Sequence, residues 1–217
     1  MIERHLHAVR TDAPADESIA ATRERLAGAF PRGSTRRMTQ LGLLLGGVLS
    51  DLATGEEDAI VYASTYAETR ALEDYLASFP TPSPTLFQTS IHPSAIQQVL
   101  IARQQPVREF FPHTGRDQLV AHALQSAALA AAPRVIVCGG EEHGTWLAEQ
   151  NAASPHAFAF AFALSVDPAG AVGHLRLEST DSPTGELALP EFFNALHQRS
   201  PLSRDVAPGL RLTLTWR

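Results

Sequence analysis

Apolar residues recur along the chain in two rhythms. Ala157 to Val166 sets Phe158, Phe160, Phe162 and Leu164 against alanine, the period of two that puts alternate side chains on opposite faces of a strand. Met38, Leu41, Leu44, Leu45 and Val48 repeat at helical spacing within 36–51, with Ser34 or Thr35 as the expected cap. Two short, unbroken apolar runs, Ala59 to Ser64 and Val135 to Gly140, read as buried strands. Helices are expected over 19–30, 68–79, 93–102 and 189–197, and strands over 173–177 and 210–216. The 173–177 strand is expected to pair with 157–166 across the Pro168–Gly170 turn. Pro31, Pro80 and Pro133 end helical stretches, 54–58 reads as a turn, and 84–92 as irregular. The longest helical pattern runs from Thr114 to Ala132, and beyond Gln118 its polar residues are His122, Gln125 and Ser126. Helices thus alternate with strands, and no repeat or linker divides the chain, so a single α/β domain over 1–217 is expected.

Composition narrows the chemistry. At 44% hydrophobic and 18% charged, 217 residues can bury a sizeable core. The net charge of −6 argues against nucleic acid as a partner, which needs a basic surface. All 17 basic residues are arginine, which removes Schiff-base catalysis and a P-loop lysine. A single cysteine, Cys138, excludes an internal disulfide framework and a thiolate-clustered metal site. Met1 to His5 carries no apolar signal region, and the stretches 41–49 and 157–166 fall short of the ~20 residues that span a bilayer. The expectation is a soluble, cytoplasmic protein without a membrane span.

Three segments then come in a telling order. Ser34-Thr35-Arg36-Arg37-Met38-Thr39-Gln40-Leu41 opens a helix leading to Ala59-Ile60-Val61-Tyr62-Ala63-Ser64-Thr65-Tyr66; Pro82 to His92 follows; the long helix then leads to Arg134-Val135-Ile136-Val137-Cys138-Gly139-Gly140-Glu141-Glu142. Over about residues 34–166 this resembles the N-terminal half of a β-ketoacyl synthase. More narrowly, it is similar to the short ketosynthase-like proteins found beside fatty-acid-type and aryl-polyene pigment genes; residues 167–217 form a divergent tail. The resemblance implies a thiolase-like half with a mixed, five-stranded-type sheet and helices on both faces. Counting back from Gly139-Gly140, the family's nucleophilic cysteine falls at Thr114, within Phe111-Pro112-His113-Thr114-Gly115. A threonine hydroxyl without a general base is a poor nucleophile, and the family's two partner histidines belong to a C-terminal half absent from this sequence. Cys138, on the following strand, reads as a small buried hydrophobe.

The resemblance therefore implies a non-catalytic protein of a fatty-acid, polyketide or polyene-type pathway, with no cofactor. It would pair with itself or with a full-length ketosynthase, shape an acyl pocket, or dock an acyl carrier protein. In this fold the long helix lies between two layers, so its second face needs cover from the tail, a second copy or a ketosynthase. An acidic protein would meet an acidic carrier through a local arginine cluster, and Arg32, Arg36 and Arg37 form the tight one. His92, Phe87 and Phe111 match the family's acyl and dimer region. Two alternatives stand beside this reading: an acyltransferase or thioester hydrolase using Thr114 and His113, and a purely structural dimer with no ligand. A helix start bearing His113 and Thr114 is also a candidate anion site. Glu141-Glu142-His143 could suggest a metal-ligand pair, but the resembled family carries an acidic residue in the same loop for structural reasons, so no metal is expected; Ser64 lacks the flanking glycines of G-x-S-x-G, and Gly139, Gly140 and Gly144 do not make G-x-G-x-x-G.

Overall fold

Ile60, Val61, Tyr62, Ile136, Val137 and Cys138 are all buried, as an apolar run flanked on both sides by other strands requires. The computed structural model describes residues 1–52 and 55–217; Thr54 of the expected 54–58 turn lies outside the described residues. The elements are β1 (Ile2–Asp12), α1 (Ile19–Arg25), α2 (Gln40–Leu49), β2 (Ala59–Ser64), α3 (Thr69–Ala77), α4 (Pro84–Thr89), α5 (Ser94–Arg103) and β3 (Glu109–Thr114). They continue as α6 (Leu119–Leu129), β4 (Arg134–Glu141), α7 (Trp146–Glu149), β5 (Phe158–Ser165), β6 (Gly173–Ser179), α8 (Leu189–His197), β7 (Leu202–Ala207) and β8 (Leu210–Trp216).

The strands form one mixed sheet in the order β3-β2-β4-β5-β1-β6-β8-β7. β2 runs parallel to β3 and β4; the remaining neighbours are antiparallel. The sheet is thus of the expected mixed α/β class, with eight strands where a five-stranded type was expected. The extra strands have identifiable origins. β1 reads as polar, with Leu6 and Val9 its buried residues, yet it lies between β5 and β6 and pairs with both. The expected hairpin across Pro168–Gly170 therefore does not form: β5 and β6 each bond to β1 instead of to one another. β3 and β7 also escape the pattern, β3 because Pro112 and its lead into the long helix mask a strand that pairs on one side.

The alternation in β5 decides the layers. Phe158, Phe160, Phe162 and Leu164 join the core beneath α6 and α8, where Phe192 meets Phe160 edge-on at 5.8 Å between ring centroids. Ala159, Ala161 and Ala163 face the other way, into a core built by Leu41, Leu44, Leu45 and Val48 of α2 and Ile96 and Val99 of α5. Helix α2 starts later than expected. Residues 34–37 form a 3₁₀ turn, and Thr39, not Ser34 or Thr35, caps the helix by accepting the Gly42 N–H at 3.1 Å. On the opposite face, Leu119, Val120, Ala123, Leu124, Ala127 and Ala128 of α6 are buried, and the tail contributes α8 and β7 to the packing around it. The tail, one of the three expected covers, thus packs over part of this helix; Leu129 stays 75% exposed. No helix among the described residues is long and apolar enough to cross a membrane.

Candidate functional site

The carboxyl ends of β2, β3 and β4 carry Ser64, His113, Thr114 and Glu141, some of the residues that sequence reasoning singled out. Thr114 is the last residue of β3, opposite Ser64, and is exposed. It is not at a helix start, because 109–114 is strand and α6 begins at Leu119, five residues later. The residue preceding the helix is Gln118, held in the left-handed region at φ 54° and ψ 24°. Counting back from Gly139 assumed an unbroken helix; the loop of Gly115, Arg116 and Asp117 moves the helix start to Gln118. Arg116 donates to the Asn151 carbonyl and lies over the Tyr66 ring at 5.1 Å.

His113 shares a 2.9 Å hydrogen bond with Ser126 Oγ on α6, and no carboxylate or histidine bonds Thr114 among the described residues. Burial lowers the His113 pKa, and electrostatic interaction with His122 and His92 lowers it further. Cys138 is fully buried on β4 between Tyr62 and Ala161, and burial pushes its thiol up to about 12. His92, Phe87 and Phe111 do not converge. His92 Nδ1 meets Glu68 Oε2 at 3.1 Å and its ring stacks on Tyr62; Phe87 sits exposed against Tyr75; Phe111 packs toward α6.

Sequence reasoning singled out Glu141 and Glu142 but missed Glu68 and Glu73; all four glutamates are buried. Each captures backbone N–H groups from a neighbouring element. Glu141 accepts from Thr65 N at 2.5 Å, from Ser64 Oγ at 3.1 Å and from Tyr66 N at 3.3 Å, fixing the turn after β2. Glu142 Oε2 accepts from Leu41 N at 3.1 Å, in the first turn of α2. Glu68 accepts from Ala95 N at 3.1 Å, in the first turn of α5. Glu73 accepts from Thr145 N at 2.9 Å and Leu147 N at 2.8 Å and pairs with Arg70 at 2.9 Å. Burial pushes Glu141 and Glu142 up to about 7 against the donors that favour their charge. Burial acts on Glu73 too, but Leu147, Thr145 and Arg70 outweigh it and hold its carboxyl below the ordinary value. The available signal was the acidic pair Glu141-Glu142 directly after a buried strand. His143, the third member of that triplet, turns to the Pro155 carbonyl at 2.9 Å.

Beside this cluster opens a cavity of about 1170 Å³. Met38, Leu86, Phe158 and Phe193 supply apolar wall, Glu142 lies on its surface, and the exposed Arg36 and Arg37 line it from the approach to α2. Residues 13–19 pass along one side. Arg25 ties this segment down by binding Asp12 at 2.8 Å and Glu17 at 2.8 Å. The candidate acyl-region residues His92, Phe87 and Phe111 and the Thr114 loop do not line it.

No family model and no curated protein matches the chain. Solved structures do. A chain of the ketosynthase ApeO in complex with its chain length factor ApeC, from Xenorhabdus doucetiae, superposes with a TM-score of 0.72 at 18% identity, over 99% of this chain and 100% of that one. The ishigamide ketosynthase/chain length factor matches with a TM-score of 0.57 at 13% identity, over 82% of this chain and 68% of that one. A β-ketoacyl synthase from Burkholderia phymatum matches with a TM-score of 0.53 at 10% identity, over 85% and 67%. These likenesses establish the fold as the ketosynthase, thiolase-like type.

Proposed function

We propose that the chain is a non-catalytic, ketosynthase-like subunit that works by pairing with a ketosynthase in a polyketide, fatty-acid or polyene-type pathway. One observation carries the reading: the position before α6 holds Gln118, Thr114 ends a strand with no carboxylate or histidine bonded to it among the described residues, and the one thiol is sealed within the sheet at Cys138. A chain with this fold and no activated nucleophile has no means of forming an acyl-enzyme. Support for pairing comes from the end-to-end likeness to a chain of a ketosynthase–chain length factor complex. β3 adds to it, as an edge strand bonded on one side whose free backbone groups suit pairing with another chain. The exposed Arg32, Arg36 and Arg37 fit a role in meeting an acidic carrier protein.

The test is co-expression with a ketosynthase from the same host, followed by affinity capture and light scattering. A stable complex of defined stoichiometry, with acyl adduct on the ketosynthase cysteine and none on this chain by intact mass, is the expected result. An acyl adduct on this chain that disappears in Thr114→Ala would overturn the non-catalytic reading, and a monomer indifferent to ketosynthase and carrier protein would overturn pairing.

A further inference from the structure

Arg36 and Arg37 line the 1170 Å³ cavity, exposed and without a hydrogen bond or ion pair among the described residues. Much of the wall beside them is apolar: Met38, Phe158 and Phe193 are buried there, and Leu86 is half-buried. Arg37 and Met38 also line a second cavity of about 410 Å³, so a basic and an apolar side chain sit together where the two cavities meet. A concave apolar wall with unpaired charge of one sign on its exposed side is complementary to a molecule with an apolar body and the opposite charge at one end. We propose that this cavity binds a single-chain amphipathic anion without covalent attachment, its tail against Met38, Phe158 and Phe193 and its carboxylate or phosphate head on Arg36 and Arg37.

The other charges of the lining leave these two arginines available. Glu17 is bound by Arg25 at 2.8 Å, and Asp74 by Arg70 at 3.1 Å. Glu142 is buried and accepts the backbone N–H groups of Leu41 and Ala71. Asp16, exposed on the 13–19 segment, is left to oppose two arginines. A cationic head would meet Arg36 and Arg37 directly, and an uncharged one would leave both without a counter-ion. The wall is also preformed: the Glu17 carbonyl accepts from Gln40 Nε2 at 2.8 Å while Arg25 holds its carboxylate, which fixes the 13–19 segment against the start of α2. Thr114, Gln118, His92, Phe87 and Phe111 line neither cavity, so the site is separate from the start of α6. It needs neither a ketosynthase nor a carrier protein, and failure of this inference leaves the pairing reading untouched.

Calorimetry on the full chain tests this with octanoate and octyl phosphate as the anions. Octanamide and octylammonium replace the head, and acetate and inorganic phosphate remove the tail. At least one chain-bearing anion is expected to bind at least fivefold more tightly than octanamide and octylammonium, with no measurable binding of acetate or inorganic phosphate; the tighter anion identifies the head group. The double variant Arg36→Gln/Arg37→Gln, at two exposed positions without bonds to lose, should fold and bring that anion down to the level of octanamide. Leu86→Trp, which narrows the cavity without touching either arginine, should weaken the anion and octanamide alike by at least fivefold. Octanamide or octylammonium matching both anions, a chainless anion matching its chain-bearing counterpart, or no binding of either anion by the folded protein would overturn the proposal. So would undiminished binding in the double arginine variant or in a folded Leu86→Trp.

Discussion

The N–H of Leu41 donates to Glu142 Oε2 at 3.1 Å, joining the end of β4 to the first turn of α2. One residue earlier Glu141 holds the turn between β2 and α3. Two adjacent side chains therefore brace two different helices against the same strand end.

Burial of these two carboxyls gives stability an unusual pH profile. Both carboxyls rise from 4.5 to about 7, so between those values the folded chain retains protons that the unfolded chain has released. Stability from these groups is greatest below about 4.5, declines as pH climbs to about 7, and is flat above. Glu17 and Glu73 act oppositely, their lowered pKa values removing stability as pH falls below 4.5. The urea midpoint is expected to peak at about pH 5 and to fall by pH 7.5. For each carboxyl the loss is about 1.4 kcal/mol per pH unit separating its folded and unfolded titrations. Glu142→Gln should remove roughly half of that fall. A midpoint rising steadily from pH 5 to 7.5 would contradict the assignment.

Glu73 anchors the segment after β4 by accepting from Thr145 N and Leu147 N while paired with Arg70. Removing it leaves those amides without their partner and Arg70 without its buried counter-ion. Glu73→Ala is expected to cost about 3 kcal/mol. Hydrogen exchange at 145–149 should accelerate ahead of exchange in β4; uniform acceleration across the sheet would show that Glu73 is not a local anchor.

How the chain reads from sequence follows where each residue's environment comes from. β2, β4, β5 and α8 were legible because the signal lies in their own residues: β2 and β4 are unbroken apolar runs, and in β5 the alternation FAFAFAL needs no distant partner to announce a strand. β1 was not, since Glu3, Arg4, His5, His7 and Arg10 leave it without an apolar rhythm, and its place between β5 and β6 is set by long-range pairing. The site divides the same way. Absence of a cysteine near α6 was visible, but a helix start displaced from Thr114 to Gln118 by a short loop was not. Glu68 and Glu73 looked like ordinary polar residues of an amphipathic helix, and only the fold brings Ala95, Thr145 and Leu147 to them.

Gly139 and Gly140 show a constraint of close approach. A Cβ on Gly139 would collide with the Ala63 carbonyl oxygen, and one on Gly140 with that of Phe158. Both obstacles are backbone of neighbouring strands, so side-chain repacking cannot relieve them. Gly139→Ala is expected to destabilise by about 3 kcal/mol or more and to lower soluble yield, whereas Gly28→Ala, with open space around its Cβ, should stay within about 1 kcal/mol of wild type. Equal thermal midpoints for the two variants would refute the collision.

The displaced helix start can be read with thiols. Cys138 is fully buried and burial pushes its thiol up to about 12, so it should react with iodoacetamide only after unfolding. In a Cys138→Ala background, Gln118→Cys places a thiol at the first turn of α6, where unbonded N–H groups and the positive end of the helix favour the thiolate. Thr114→Cys places it on the exposed end of β3, where an ordinary value of about 8.5 is expected. The midpoint of the alkylation rate against pH should lie at least about one pH unit lower for Gln118→Cys. Coincident midpoints, or a lower one for Thr114→Cys, would return the nucleophile-type position to Thr114 and with it the case for acyl transfer at that residue.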